Sequence, residues 1–224
     1  MILIAVTFLL SRPAILLSYA SQDICPVYKM GDNSNHMISL TFDDGPHEQK
    51  TKQILNILDR FDVKATFFVV GENVNAHPDI VDDIIERGHE IGNHTHHHKY
   101  LYGKDRRCME LEIDLCDDEL YNHSEYNAVT FRPPGGLYDA NLMKICAERG
   151  YSMILWSIDT RDWEGKKASE IETEIITNVR DGSIILMHDF ICGESHTAEA
   201  LESVIPKLKK LGYRFVTVSE LIGH

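Results

Sequence analysis

The residues able to do chemistry in this chain gather in a few short runs. In Asn93-His94-Thr95-His96-His97-His98, His94 and His98 stand four residues apart, a spacing that lets both imidazoles face one way. Two imidazoles offered from one side of the backbone, joined by a carboxylate from elsewhere, make a three-ligand zinc site with an open position. The carboxylate has a source in Thr41-Phe42-Asp43-Asp44-Gly45, where two aspartates end an apolar run. A histidine run alone is equally a polar loop or an adventitious metal-binding tract. The aspartate pair favours a site. Arg132, the run Asp159 to Trp163, and His188 are further polar features that follow short apolar segments.

The elements that must position these groups alternate from Met37 onward. Ile38, Leu40 and Phe42 alternate as a strand, and Ile54, Leu55, Leu58 and Phe61 recur at helical spacing. Residues 65–70, 90–93, 129–132, 152–158, 183–187 and 214–218 are predicted as six further strands. Helices are predicted over 78–87, 105–121, 141–149, 169–179 and 197–211, the first and third stopped by Gly88 and Gly150. Ser169 is expected to cap its helix in a capping box with Glu172, and Pro206 to sit at a kink. Strands each followed by a helix or long loop argue a parallel α/β sheet, either open and doubly wound or closed into a barrel. Periodicity does not choose between the two. The polar runs all follow the carboxyl ends of strands, the edge where parallel α/β folds build active sites.

Five of these runs together resemble the motifs of the polysaccharide deacetylases of carbohydrate esterase family four, the NodB-homology domain. Thr41-Phe42-Asp43-Asp44-Gly45 is similar to the first motif and His94-Thr95-His96-His97-His98 to the second. Phe131-Arg132-Pro133-Pro134, Asp159-Thr160-Arg161-Asp162-Trp163 and Ile184-Ile185-Leu186-Met187-His188-Asp189 are similar to the third, fourth and fifth. They occur in family order over about residues 36–222, which is expected to be one catalytic domain. The resemblance implies a distorted (β/α) barrel of about seven parallel strands. It also implies removal of N-acetyl groups from polymers of N-acetylated hexosamines, foremost peptidoglycan, with chitin, O-acetylated xylan or an inactive glycan-binding relative as alternatives.

Amide hydrolysis needs a nucleophilic water, a base, an oxyanion stabiliser and an acid for the leaving amine. The resemblance assigns Asp44, His94 and His98 to a divalent metal, Zn²⁺ first, with Co²⁺ or another ion able to replace it. It makes Asp43 the base and His188 the acid, pairs Arg132 with Asp43, and pairs Asp162 with His188. It puts Trp163, Leu186, Pro133 and Pro134 at the substrate and makes the Gly135 N–H the oxyanion contact. The family often carries a bulky residue where this chain has Gly135. If only the backbone N–H matters there, Gly135→Tyr is expected to be tolerated. His96 and His97 are expected to turn away from the metal, and Cys108, Cys116 and Cys146 to be helix core.

The net charge of −13 disfavours nucleic acid and other polyanions and is compatible with a neutral glycan as partner. No stable protein partner is implied. Residues 1–20 are expected to be a signal peptide or an N-terminal anchor, since Ser18-Tyr19-Ala20 has the small-x-small form of a cleavage site. That segment carries Arg12 and Pro13 and is a poor full bilayer span. A secreted or cell-surface location follows as the expectation, with membrane contact only through the anchor. Five widely spaced cysteines without a CxxC pair are not a disulfide framework.

Overall fold

The computed structural model describes residues 24–31 and 35–224; the expected signal or anchor at residues 1–20 lies outside them. Among the described residues nine short strands form one sheet: β1 (Val27–Tyr28), β2 (Met37–Asp43), β3 (Thr66–Val69), β4 (Glu90–Asn93), β5 (Thr130–Phe131), β6 (Ser152–Ile154), β7 (Ile158–Asp159), β8 (Ile184–His188) and β9 (Arg214–Phe215). Their spatial order is β1-β6-β5-β4-β3-β2-β8-β7, with β9 also beside β2, and every ladder is parallel. The sheet curls into a half-barrel with helices around it, which resolves the choice that periodicity left open. The helices are α1 (Lys50–Arg60), α2 (Gly71–Ala76), α3 (Pro78–Glu86), α4 (Arg106–Ser124), α5 (Ala140–Glu148), α6 (Ala168–Asn178), α7 (Thr197–Lys210) and α8 (Val218–Ile222).

Strand β2 shows how the sequence pattern maps onto this shape. Ile38, Leu40 and Phe42 join the main apolar cluster with Ile54, Leu55 and Leu58 of α1 and Leu201, Val204 and Leu208 of α7. Each such side chain withdrawn from water is worth about 1.5–3 kcal/mol of transfer free energy. The alternate residues Ser39, Thr41 and Asp43 are buried as well. Thr41 and Asp43 meet the Arg132 guanidinium, so the polar face of this strand looks into the half-barrel and not into solvent.

The strand predicted over 152–158 is two strands. Its start, β6, pairs with β5 and β1, while its end, β7, pairs with β8 at the far end of the sheet order. At the end of β6 and just past it, the Ile154 and Leu155 carbonyls accept from Arg132 Nε at 3.3 Å and Arg132 Nη2 at 3.2 Å. A side chain thus satisfies carbonyls that a ladder would otherwise claim, as buried backbone requires.

Helix ends differ in places from expectation. Helix α6 starts at Ala168, and Glu170 accepts from the Lys167 N–H at 3.0 Å. The Ser169–Glu172 capping box is therefore absent, and Glu172 instead meets Ser203 and Lys207 of α7. Helix α7 runs unbroken through Pro206. The strand predicted over 214–218 stops at Phe215, and Thr217 caps α8 by accepting from the Glu220 N–H. Among the described residues no helix is long and apolar enough to cross a membrane.

Candidate active site and metal centre

Asp44 follows the last residue of β2 with φ 77°, a left-handed conformation that swings its carboxylate away from the strand line. The turn is held from outside the motif. The Asp189 carboxylate, one residue past β8, accepts from the Gly45 N–H at 3.0 Å and from Thr51 Oγ1 at 2.6 Å. Burial pushes the Asp189 carboxyl up to about 7. His94 and His98 reach the same point from the loop after β4. Asp44 Oδ1 lies 3.4 Å from His94 Nε2 and 3.2 Å from His98 Nε2.

Donor atoms of Asp44, His94 and His98 all fall within 4.8 Å of one another, and Asp44 Oδ1 is buried with no hydrogen-bond partner. An unpartnered buried carboxylate oxygen aimed at two imidazole nitrogens fits a divalent metal. His94 Nδ1 sits 2.7 Å from the Arg132 carbonyl, which takes its N–H and leaves Nε2 as the ligand atom. Burial, then the neighbouring His94, keeps His98 below its usual pKa. Burial opposes ionisation of Asp44, but the two histidines beside it hold its carboxyl below the ordinary range.

Arg132 is fully buried after β5. Its Nη1 donates to Asp43 Oδ1 at 2.6 Å and to Thr41 Oγ1 at 2.9 Å, and its guanidinium lies 4.0 Å from the centre of the Phe68 ring. With the two carbonyls already named, this buried cation has partners for each of its nitrogens. One Asp43 oxygen is thereby pinned, while Oδ2 lies 3.7 Å from His94 Nε2.

His188 ends β8. Its Nδ1 is 2.7 Å from Asp162 Oδ1, and its backbone N–H donates to Asp162 Oδ2 at 2.8 Å. Thr197 Oγ1, at the start of α7, donates to the same Oδ2 at 2.7 Å. Burial works against the His188 charge, but the Asp162 carboxylate outweighs it and lifts the imidazole to about 9.

Asp43, Asp44, His94, His98 and His188 line one cavity of about 350 Å³ together with Tyr100, Gly135, Trp156, Asp159, Trp163 and Leu186. A second cavity, of about 380 Å³, adjoins it through Asp44, His98 and Trp163. Pro133 and Pro134, expected at the substrate, are buried and are not among the lining residues of either cavity. Rigid φ values let them shape the turn that presents Gly135 instead. The Gly135 N–H makes no backbone hydrogen bond among the described residues.

The sequence profile of the polysaccharide deacetylase family matches residues 30–154. The chain belongs to that family. It is 40% identical over 195 residues to a peptidoglycan-N-acetylglucosamine deacetylase of Bacillus cereus, covering 86% of this chain and 91% of that one. It is 37% identical over 191 residues to the Listeria monocytogenes peptidoglycan-N-acetylglucosamine deacetylase PgdA. That match covers 85% of this chain and 40% of PgdA, so the chain spans less than half of that longer relative. The crystal structure of the Bc1960 peptidoglycan N-acetylglucosamine deacetylase superposes with a TM-score of 0.86 at 35% identity, covering 89% of this chain and 94% of that one. The profile match ends before Asp162 and His188; the fold brings His188 into the cavity with Asp43 and Asp44 and sets the buried Asp162 behind it.

Several supporting residues of this polysaccharide deacetylase carry weak signals in the sequence. Asp189 directly follows His188, and that adjacency is its signal in the sequence. Asn93 accepts from the Thr95 N–H at 2.8 Å and donates to Ile113 O at 3.0 Å, steadying the loop that carries both histidines. Thr197 reads in sequence only as the start of a helix. His96 and His97 do turn away: His97 meets Glu112 at 2.9 Å, and neither joins the ligand group. The structure weighs against tolerance of Gly135→Tyr. Gly135 has φ 64°, and a Cβ there would lie 2.6 Å from Tyr100 Cε1.

Proposed function

We propose that this chain is a metal-dependent hydrolase that removes N-acetyl groups from the glycan strands of peptidoglycan, outside the cytoplasm and with Zn²⁺ at its centre. The observation that carries the reading is convergence in one cavity of the Asp44, His94 and His98 donors, the Arg132-held Asp43 and the Asp162-held His188. The peptidoglycan deacetylases among its relatives support the polymer. The apolar segment at residues 1–20, ending in a small-x-small site, supports export.

A divalent ion on Asp44, His94 and His98 supplies Lewis acidity toward the acetyl carbonyl and lowers the pKa of a bound water. The chain's own residues do the rest. Asp43, pinned at Oδ1, keeps Oδ2 to accept the water's proton. His188, protonated well above neutral pH, has Nδ1 committed to Asp162 and Nε2 to give a proton to the departing amine. The Gly135 N–H stands at the cavity as an oxyanion donor. Trp163 and Leu186 wall the acetyl group. Co²⁺ or another divalent ion can replace zinc, because a two-His, one-carboxylate set is not selective by ligand type alone.

The test is incubation with purified peptidoglycan, N-acetylchitooligosaccharides and acetylated xylan, with and without chelator, read by mass spectrometry. The expected result is acetyl loss from peptidoglycan that chelation abolishes and Zn²⁺ restores. Deacetylation of xylan alone overturns the substrate reading, and full activity of metal-free protein overturns the metal.

A further inference from the structure

The glycine pair after Pro134 makes room for two aromatic rings. A Cβ at Gly135 would meet Tyr100 Cε1 at 2.6 Å, and one at Gly136 would meet Trp156 Cη2 at 2.8 Å. Real Cβ contacts are not that close, and both glycines have left-handed φ values of 64° and 68°. Both rings line the catalytic cavity. Trp156 belongs to the Arg132 seam, its ring 5.8 Å from the guanidinium. Tyr100 is different. It is 55% exposed, and its hydroxyl makes no hydrogen bond among the described residues.

An exposed aromatic is usually mobile, but Tyr100 is seated on two sides. Its ring stands edge-on to the His98 ring, centroids 6.1 Å apart and planes at 67°. Its Cε1 edge lies 2.6 Å from where a Gly135 Cβ would stand. What remains uncovered is ring surface and a free hydroxyl at the mouth of a cavity whose other exposed aromatic is Trp163, 53% exposed. An apolar face with a polar tip matches a sugar, which has C–H faces and hydroxyl edges.

We propose that Tyr100 is a substrate-positioning residue, its ring seated in the space Gly135 leaves open and packed against the sugar whose acetyl group is removed. This rests on the glycan reading above. Gly135 then has two duties, a backbone N–H toward the acetyl oxygen and an absent side chain that lets Tyr100 in.

The test uses Zn²⁺-loaded parent, Tyr100→Ala, Tyr100→Phe, Gly135→Ala and the double variant Tyr100→Ala/Gly135→Ala, with metal content measured for each. Each is assayed on whichever of the three glycans the parent deacetylates and on an aryl acetate that has no sugar. Tyr100→Ala should raise KM for the glycan about tenfold, the scale of a lost aromatic contact, with a much smaller change in kcat. Its loss on the aryl acetate should be several times smaller, and Tyr100→Phe should recover most of the glycan KM. Removing the ring should relieve the added methyl, so the double variant should exceed Gly135→Ala on the aryl acetate. Equal proportional losses on both substrates, an unchanged glycan KM, or loss of metal from Tyr100→Ala would each overturn the proposal. Activity on xylan and not peptidoglycan would sink the polymer reading while Tyr100 is judged on xylan. Activity on no glycan would sink both.

Discussion

His188 is bound by Asp162 through its ring and through its own backbone N–H, so one carboxylate sets both its position and its charge. Its pKa of about 9 against an ordinary 6.5 means the folded state favours the proton. The contribution of this pair to stability is complete below 6.5 and is lost as pH rises through about 9. An acid must be protonated to act, so with His188 as the proposed acid the alkaline limb of the pH–rate profile should follow its titration. Asp162→Asn removes the charge, lowers that pKa, and should move the limb to lower pH; a limb that stays put would assign it to another group. Asp43→Asn should keep the metal yet lose about 10²–10⁴ in kcat, the scale of positioned proton transfer. His98→Ala should instead lose the metal itself, since one of three protein ligands is gone, and elemental analysis separates the two outcomes.

At the scale of elements, short strands deliver the chemistry and caps hold the helices that follow. Asp139 accepts from the Leu142 N–H at 3.0 Å at the start of α5 and from the Gly103 N–H at 3.0 Å in the loop beyond the histidines. It joins the helix after the Gly135 turn to the loop that carries Tyr100. Asp139→Ala should cost about 0.5–2 kcal/mol, as loss of an N-cap does. Urea denaturation measures this, and an unchanged midpoint would mean that water replaces both bonds. Helix α7 contributes through its first residue, because Thr197 donates to the Asp162 oxygen that also accepts from the His188 N–H.

Across the whole molecule, Arg132 is where fold and site meet. It joins β5, the inner face of β2 and the Ile154 and Leu155 carbonyls where β6 ends, and it holds Asp43. Replacing it with an apolar residue leaves a buried carboxylate and two carbonyls without partners. Arg132→Met should therefore lose about 3–5 kcal/mol, the usual scale for breaking a buried ion pair from one side. Arg132→Met/Asp43→Asn should recover part of that loss, because the stranded charge is removed. Chemical denaturation of both variants checks this; equal stability of single and double variants would show that the ion pair is not what Arg132 stabilises.

The sequence by itself determined the groups whose signals are local. The aspartate pair at the end of β2, the histidines four apart, the alternation of Ile38, Leu40 and Phe42, and the glycines after α3 and α5 all lie within one turn or one strand of what they specify. Tertiary structure decided what depends on distant partners. Alternation along β2 looks the same whether its polar face meets water or the inside of a half-barrel, and only sheet curvature put Thr41 and Asp43 against Arg132. The run 152–158 has continuous strand character, yet it breaks because its two ends find different neighbours and a side chain takes the carbonyls where β6 ends. Thr197 at Asp162 and Tyr100 at Gly135 join residues 35 positions apart in each case, 162 to 197 and 100 to 135. Propensity acts over a few residues, whereas such contacts arise from the packing of whole elements, so no local pattern announces them.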